Sequence, residues 1–462
     1  MKYLDKQFEM SLKQAKEINK TILFSYTEKV ALPHPLPTYS SVIRNSEDYF
    51  YWKDPQNETI IIGIGNVLQI VSEQIDERFH LVEEKWDNIL ENAFIYDSAN
   101  QSGTGPLLFG GFTFDPNNRK KPEWETFSHA TFFVPEIMIT LKEKESFLTL
   151  NVMVNPENDT TILEHLKKQM MNILNRKEQT SDLLPAIIEQ EEMNPKGWKE
   201  SVSKVVSLLK DGYLDKVVLA RKMRIKFQQK VVPEVLLNHL LEQQKGSYVF
   251  SFGLDNDSFA GASPERLVKK IGENVLSTCL AGSIKRSGDA NQDQALGKIL
   301  LEDKKNRHEH QLVVSMIADV FREHCREVDI PDEPTLMKTP DIQHLYTPVK
   351  GKVKENTSIL HLVESLHPTP ALGGTPRQDA MKVIRDVENM DRGLYAGPIG
   401  WMDYRGNGEF IVAIRSGLIK GNEAFIYAGC GIVADSNPED EYLETKIKFR
   451  PMLRALGGKE DE

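Results

Sequence analysis

The sequence predicts an α+β fold in which a largely antiparallel sheet carries helices on its outside. Runs of β-branched and aromatic residues dominate the second half of the chain, and Gly, Asp or Asn bounds most of them. Several runs follow one another through hairpin-sized turns, as in SGLIKGNEAFIYAG around Gly421 and Asn422. Because strands joined by such short turns pair antiparallel, this order favours α+β over a doubly wound parallel sheet.

The residue pattern predicts the elements in chain order. In the first half it indicates an amphipathic start over 8–20, a strand at Thr59–Ile64 and a Gly-rich passage at 107–116, and this half ends with the segments FFVPEIMITL and ESFLTLNVMV and a helix near 160–175. The strands predicted in the second half are 216–227, 247–254, 258–269, 274–281, 343–353, 410–419 and 424–433. The helices predicted there are 196–211, 233–244, 290–325, 357–366, 376–388 and 438–456.

Length and composition bound the organisation of the chain. It has 462 residues, and a length of about 150 residues per domain predicts about three domains or one large one. A polar, acidic segment punctuated by proline, 176–196, predicts a connector between two halves. The 57 Lys and Arg residues against 68 Asp and Glu leave a formal charge of −11. This balance argues against a general nucleic-acid-binding surface, but it is compatible with a local basic pocket for a small anion.

Cysteine usage and hydropathy indicate the compartment. Cys279, Cys325 and Cys430 are too few and too scattered for a disulfide framework or a CxxC metal site, so we expect reduced, buried thiols. The N-terminus contains no apolar signal segment, and glycines and polar residues interrupt the longest apolar stretch, 60–71. We therefore expect a cytoplasmic protein that has neither a membrane nor a nucleic acid as a partner.

Two motif-like segments are rejected on their spacing. Gly63 and Gly65 begin a dinucleotide-binding pattern, but Leu68 stands where the third glycine belongs, which favours a simple strand-to-turn transition. The HEH triplet at 308–310 is not HExxH, because adjacent helical residues point about 100° apart and cannot share one zinc ion.

Glu309 is more informative, because it shares one helix face with Val313, Met316 and Val320. A carboxylate at the head of an apolar face must be paired, protonated or bound to a metal. The alternative is a glutamate at a helix end that reaches solvent.

The C-terminal helix carries a second polar stripe. Asn437 and Pro438 suit its N-cap and first position, and Glu441, Glu444 and Lys448 follow on one face. The stripe fits a solvated face with helical ion pairs. It also fits a site for a hard cation and an anionic ligand, since carboxylate oxygens suit Mg²⁺. The spacing alone favours the solvated face.

Three further residues stand where sites are commonly built. Arg415 shares one face of the predicted strand 410–419 with Ile411 and Ala413, the arrangement expected of a buried anion clamp. Lys216 begins the apolar strand KVVLA, and Glu265 lies in GASPERL, a turn-like element at a strand end where catalytic groups are commonly held.

Nine segments, in order, resemble the chorismate-utilising enzymes, a family that includes the anthranilate, aminodeoxychorismate, salicylate and isochorismate synthases. These segments are LDKVVLAR (214–221), FAGASPERL (259–267), LAGS (280–283), EDKKNRHEHQLVV (302–314), QHLYTPVKG (343–351), LHPTPALGGTP (366–376), RGLYAGPIGW (392–401), VAIRSGL (412–418) and AGCGIVADSNPEDEYLETKIK (428–448). One such segment is weak support, whereas nine in the family's order are very specific. The FGGFTFDP passage (109–116) looks similar to the isochorismate synthase branch.

The resemblance implies a large single body of two packed, mainly antiparallel sheets with outer helices and a site in the cleft between them. It therefore predicts that an N-terminal half, 1–190, contributes to the same fold as a catalytic region, 191–462. On this interpretation the connector is not a true domain boundary.

The resemblance also implies roles for individual residues. Isochorismate synthases add water at C2 of chorismate while the C4 hydroxyl leaves, which requires a base and an acid on opposite faces of the ring. Lys216 matches the base, a position that is non-basic in aminating relatives, and Glu265 matches the acid. Glu309 and Glu444 match ligands of a Mg²⁺ ion, and Glu441 is expected to reach that ion through water. Substrate contacts are implied for Gly282, Ser283, Ala371, Tyr395, Ile414, Arg415, Gly429 and Lys448.

Ala371 favours a reaction that stops at isochorismate, because relatives that form salicylate usually carry Thr there and aminating relatives carry a different motif. The resemblance thus implies a magnesium-dependent isomerase that acts on chorismate and needs no glutaminase subunit. Menaquinone biosynthesis is the expected pathway, with catechol siderophore biosynthesis as the alternative. A salicylate synthase is the alternative within the family. A catalytically inactive binding protein is the alternative from another class, and the presence of Lys216, Glu265, Glu309 and Glu444 together argues against it.

Overall fold

The computed structural model describes residues 3–31, 43–44, 46–174, 183–339 and 342–459. Within these ranges, ten α-helices pack around two large sheets. The helices are α1 (Leu4–Ile18), α2 (Arg78–Glu91), α3 (Thr161–Leu174), α4 (Pro195–Lys210), α5 (Pro233–Gln243), α6 (Ala290–Glu302), α7 (Lys304–His324), α8 (Ile359–Leu366), α9 (Arg377–Glu388) and α10 (Pro438–Ala455). No helix in the described part of the chain is long and apolar enough to cross a membrane.

The strands are short and numerous, as the turn-bounded pattern predicts. Up to residue 192 they are β1 (Ile22–Val30), β2 (Tyr49–Lys53), β3 (Thr59–Ile64), β4 (Leu68–Ser72), β5 (Phe94–Asp97), β6 (Leu107–Phe112), β7 (Ala130–Val134), β8 (Ile137–Lys142), β9 (Glu145–Val154) and β10 (Ile187–Glu192). Beyond it they are β11 (Lys216–Phe227), β12 (Tyr248–Leu254), β13 (Asp257–Ser263), β14 (Arg266–Ile271), β15 (Asn274–Lys285), β16 (Cys325–Asp329), β17 (Thr335–Lys338), β18 (Ile342–Val353), β19 (Gly374–Thr375), β20 (Pro398–Asp403), β21 (Gly408–Val412), β22 (Ser416–Lys420) and β23 (Glu423–Ile432).

Both sheets combine strands from the two halves of the chain. The first has the order β10-β11-β23-β22-β13-β12-β2-β3-β8-β9-β1-β5, with β19 paired to β11. The second has the order β16-β18-β15-β14-β21-β20-β6-β7-β4, with β17 paired to β18. Among the described strands, β1 and β5 are the one parallel pair. The predicted α+β class, with two mainly antiparallel sheets and outer helices, is confirmed. The division of the chain at residue 190 stays a prediction.

Aromatic side chains pack the two sheets face to face. Phe50 of β2 stacks on Phe109 of β6 with ring centroids 4.2 Å apart, and Phe252 of β12 stacks on Phe133 of β7 at 5.8 Å. All four rings are fully buried, and burying such a side chain contributes about 1.5–3 kcal/mol. A second apolar cluster lies on the outer face of the first sheet, where α1, α3, α5 and α10 cover it.

The predicted connector, 176–196, is partly structured. Residues 176–182 lie outside the described residues, but 187–192 form β10, an edge strand that pairs antiparallel with β11. The acidic run therefore extends the first sheet, which corrects the prediction of a plain connector there.

Three predicted elements are each broken in two. The helix predicted over 290–325 is interrupted at Asp303, which has extended backbone angles and caps α7 by accepting a hydrogen bond from the Asn306 amide at 2.7 Å. The strand predicted over 258–269 is interrupted at 264–265, where proline has no amide hydrogen to donate to a neighbouring strand. The strand predicted over 410–419 is interrupted at 413–415, because Arg415 has a φ of 52°.

Candidate active site

One cavity of about 300 Å³ contains all the residues that the sequence predicts as a site. It is formed mainly by β11, β15, β23, α7 and α10, together with the turns that follow β13 and β21. The predicted residues that line it are Lys216, Glu265, Gly282, Ser283, Glu309, Ala371, Tyr395, Ile414, Arg415, Gly429, Glu441, Glu444 and Lys448. Residues more than 200 positions apart in the sequence therefore meet in one place.

Lys216 is held at the start of β11. Its backbone pairs with Thr375 of β19, and its side chain is 3% exposed. The Nζ atom donates a hydrogen bond to Oε1 of Glu309. A β-carbon on Gly431 of the neighbouring strand would lie 2.6 Å from Cε and 3.1 Å from Nζ of Lys216. A larger residue at that position would displace the end of the lysine side chain from its present place.

Glu265 projects from the turn between β13 and β14. Its amide donates to the Ser263 hydroxyl at 3.2 Å, and its carbonyl accepts from the Val412 amide at 3.1 Å. Within the described part of the chain, its carboxyl group makes no hydrogen bond, and the residue is 5% exposed. Burial raises the pKa of Glu265 to about 8, although the positive charges of Lys216 and Lys448 oppose the rise. The carboxyl group is therefore protonated at neutral pH.

Helices α7 and α10 bring three carboxylates to the cavity. Glu309 accepts the hydrogen bond from Lys216. Oε1 of Glu444 lies 2.7 Å from Nζ of Lys448, whose charge holds the pKa of Glu444 below its usual range. Glu441 accepts from the Ser436 hydroxyl at 2.6 Å, and burial, reinforced by the charge of Glu444, raises its pKa.

These carboxylates are the cavity's candidate metal ligands. Among the residues that the structure describes, no three His, Cys, Asp or Glu side chains converge closely enough to hold a metal ion. Glu309 and Glu444 instead contact the side-chain nitrogens of Lys216 and Lys448, respectively. The donor set nevertheless fits in kind, since three carboxylates around one cavity offer the oxygen ligands that Mg²⁺ prefers.

Positive charge in the cavity comes partly from Arg415 and Lys448. Arg415 stands in the turn between β21 and β22, where its carbonyl accepts from the Ala262 amide at 3.0 Å. The prediction that it lies within a strand is wrong, because its left-handed backbone ends β21 early. Lys448 donates to the Gly429 carbonyl at 2.9 Å. Burial opposes the charged form of Lys448, but the charge of Glu444 produces a net rise in its pKa.

The remaining predicted residues complete the lining. Gly282 has a φ of 78°, a left-handed conformation that favours glycine, and the adjacent Ser283 amide donates to Oδ1 of Asn306 at 3.3 Å. Tyr395 stacks on Tyr427, with ring centroids 5.1 Å apart. Neither Asn306 nor Tyr427 was predicted to belong to the site, although both line the cavity.

His344 and Cys430 are two further cavity residues that the sequence interpretation missed. His344 lies on β18, and its Nε2 atom is buried without a hydrogen-bond partner in the described chain. Burial lowers its pKa to about 3, so the ring is neutral. A histidine inside a resembling strand segment, QHLYTPVKG, was the available signal. Burial raises the pKa of Cys430 well above its usual value, which keeps it a thiol. Cys279 and Cys325 are likewise buried and free.

Comparisons with known proteins extend the resemblance to nearly the whole chain. A family model described as a chorismate binding enzyme matches residues 10–457. The chain is 43% identical to the isochorismate synthase MenF of Bacillus subtilis, over 97% of this chain and 96% of that protein. It is 34% identical to the salicylate biosynthesis isochorismate synthase of Pseudomonas aeruginosa, over 98% and 94% of the two chains.

A solved structure has the same fold. The menaquinone-specific isochorismate synthase MenF of Escherichia coli superposes with a TM-score of 0.79 at 21% identity, covering 97% of this chain and 99% of that one. The fold and the full-length sequence similarity agree with the resemblance predicted from the nine segments, and the chain belongs to the family of chorismate binding enzymes.

Proposed function

We propose that the protein is an isochorismate synthase, an isomerase that adds water at C2 of chorismate while the C4 hydroxyl leaves. One observation carries this proposal: a buried lysine and a buried, protonated glutamate line the same small cavity. Full-length similarity to isochorismate synthases of two bacteria supports it.

Lys216 is the proposed base. In its amine form it takes one proton from the attacking water as the new C2–O bond forms and the ring double bond shifts. Lys216 is buried among the apolar residues of β11, and its backbone pairs with β19. These contacts hold the amine in one place. Aminating relatives carry a non-basic residue at this position, so a lysine here favours hydration over amination. On this proposal the reaction needs no subunit that delivers ammonia.

Glu265 is the proposed acid. As the C4–O bond breaks, it donates its proton to the departing hydroxyl, which leaves as water. Burial supports this role, because it keeps the carboxyl group protonated at neutral pH until the leaving group demands the proton. At the end of the step Lys216 carries the extra proton and Glu265 is ionised, so the charges balance.

Glu309 and Glu444 are the residues that would hold Mg²⁺, with Glu441 beside them. When bound, the ion supplies a positive charge for the ring carboxylate of the substrate. Arg415 and Lys448 are proposed to bind substrate carboxylates, because they bring positive charge into a cavity that Tyr395, Ile414 and Ala371 partly line with apolar surface. Gly282, Ser283 and Gly429 are proposed to contact the substrate through their backbone or hydroxyl groups.

Menaquinone biosynthesis is the pathway that we favour. The chain is more similar to the MenF protein than to the salicylate biosynthesis enzyme, at 43% against 34% identity. Ala371, rather than Thr, favours release of isochorismate over elimination of pyruvate. A salicylate synthase is the alternative within the family, although the relative named for salicylate biosynthesis is itself described as an isochorismate synthase.

Product identification from chorismate tests the proposal. The purified full chain is incubated with chorismate and either Mg²⁺ or EDTA, and the mixture is separated by chromatography and identified by proton NMR. We expect isochorismate with Mg²⁺, no pyruvate, and no conversion with EDTA. Salicylate with equimolar pyruvate would instead assign a salicylate synthase, and unchanged chorismate under all conditions would contradict both assignments.

A further inference from the structure

A buried ion pair in the wall of the cavity, which Arg392 itself lines, joins two segments of that wall. Glu388 is the last residue of α9, and Arg392 follows it by four positions. Their side chains are 1% and 2% exposed, respectively. Nε of Arg392 donates to Oε2 of Glu388 at 2.9 Å, and Nη2 donates to Oε1. The pair is thus a two-pronged contact sealed from water.

The guanidinium group also binds two backbone carbonyls on separate segments. Nη1 donates to the carbonyl of Leu372 at 3.0 Å, and Nη2 donates to the carbonyl of Val218 at 2.8 Å. Oε1 of Glu388 accepts the Ala220 amide at 2.7 Å. The pair therefore holds β11 at two positions and the segment that follows Ala371 at one.

Both of these segments carry proposed site residues. Lys216, Val218 and Ala220 alternate along β11 and all line the cavity, as expected of residues on one strand face. Ala371 immediately precedes the carbonyl-bearing Leu372, which also lines the cavity. The Val218 amide donates to the Gly373 carbonyl at 2.8 Å, and only a few other backbone hydrogen bonds join β11 to this loop. The contacts of Arg392 therefore add to a sparse set of bonds between the strand and the loop.

We propose that Glu388 and Arg392 are positioning residues that fix the distance between Lys216 and Ala371, and with it the rate of hydration. The identity of the reaction rests on the proposed function. An error of about 1 Å in such a spacing can cost about a hundredfold in rate. Arg392 acts by holding two backbone carbonyls. Loss of these hydrogen bonds therefore changes the geometry of the bound substrate more than its affinity.

Lysine cannot replace this fork. Arg392→Lys keeps the positive charge and can still pair with Glu388, but one ammonium group cannot reach two carboxylate oxygens and two carbonyls in different segments. We expect kcat for isochorismate formation to fall at least tenfold while KM for chorismate changes less than threefold. Amide hydrogen exchange should quicken in peptides that cover 216–221 and 370–375 and stay unchanged in those that cover β1 and β9.

Arg385→Lys is the matched control. Arg385 lies in the last turn of α9, three residues before Glu388, and pairs with buried Asp115 at 2.7 Å, but it does not line the cavity. This variant should keep the parent's kcat and its exchange in both peptides. Glu388→Gln provides a second route if Arg392→Lys does not fold, because glutamine keeps the shape and one acceptor oxygen and removes the charge.

The outcomes separate this inference from the proposed function. A parent protein that yields no isochorismate would contradict the proposed function, while the local exchange pattern would still decide whether the pair positions these two segments. Folded variants with the parent's kcat, or exchange that quickens equally throughout the chain, would overturn the positioning role. A rise in KM at constant kcat would also overturn it, since that result indicates lost binding rather than lost geometry.

Discussion

Two carboxyl groups of the same cavity, Glu265 and Glu444, have opposite environments. Glu265 is buried in a turn, and burial raises its pKa to about 8. The side chain of Glu444 is 46% exposed and lies 2.7 Å from Lys448, whose charge lowers its pKa. One residue type thus becomes a neutral proton donor in the interior and a charged group at the rim. Burial and neighbouring charge, rather than residue identity, assign the two roles.

The largest expected effect concerns the interior end of the cavity, where Lys216 lies. Lys216→Ala should lower isochorismate formation by about 10²–10⁴-fold, the usual contribution of a positioned base. The fold should persist, because alanine shortens one side chain at the start of β11 and leaves its backbone pairing intact. Steady-state kinetics and a thermal melt measure the two quantities. Lys226→Ala, at the other end of the same strand, is the control, and near-parental activity of a folded Lys216→Ala protein would remove the base assignment.

A pH profile sharpens the comparison between the two carboxyl groups. Glu265 supplies a proton only while it is protonated, so kcat should fall as pH rises through about 8. Glu265→Gln should be severely impaired, and its residual activity should lack that descending limb. Glu444 at the rim should contribute no such decline in kcat near pH 8, because its lowered pKa keeps it ionised throughout this range.

Stability should follow the same group. The unfolded carboxyl titrates near its ordinary value of 4.5, whereas the folded one titrates near 8. Between these values the folded state binds the additional proton, so Glu265 makes the protein less stable as pH rises. Thermal melts across this range should show a shallower decline for Glu265→Gln than for the parent. Parallel declines in both proteins would contradict the raised pKa.

The sequence predicts some parts of this site and not others. The start of β11 at Lys216 and the start of α10 after Asn437 agree with prediction, because an apolar strand and an N-cap are local signals. The turn at Arg415 was not predicted, since the apolar run FIVAI continues into RSGL with no proline, asparagine or aspartate to mark a turn at the arginine. The pair between Glu444 and Lys448 is an i, i+4 contact that the helical spacing anticipates, but the pairing of Glu309 with Lys216 and the neutral state of His344 depend on contacts between distant segments. No local pattern encodes those contacts.

The rim carboxylates should control the magnesium requirement. Glu309→Gln or Glu444→Gln removes one charged oxygen ligand. The Mg²⁺ concentration for half-maximal activity should therefore rise at least about tenfold, which is the lower end of the loss of metal affinity seen when a metal site is disturbed. Calorimetric titration with Mg²⁺ gives a measurement that is independent of activity. Glu439→Gln on the same helix is the control, because Glu439 pairs with Lys199 outside the cavity. An unchanged requirement in both variants would place the ion elsewhere.

The smallest expected effect is a change of reaction product when Ala371, which lines the cavity, is replaced. Elimination of pyruvate requires the enolpyruvyl side chain to swing until its methylene carbon can take the hydrogen at C2. Alanine offers no hydrogen bond to hold that pose, whereas Thr adds a methyl group and a hydroxyl. Ala371→Thr should therefore lower isochorismate output and release detectable pyruvate with salicylate, both measured by chromatography.

Ala371→Val separates the hydroxyl from the added volume, because valine has nearly the shape of threonine without the oxygen. The backbone here is fixed by hydrogen bonds from Leu372 and Gly373 to the Thr369 carbonyl and by the Arg392 contact, so either substitution changes the lining more than the loop. Pyruvate from the Thr variant alone assigns the effect to a hydrogen bond that holds the side chain. Pyruvate from both variants assigns it to volume. If neither folded variant releases pyruvate while hydration continues, Ala371 only packs under the proline-rich turn, and the choice of product lies with other residues of the cavity.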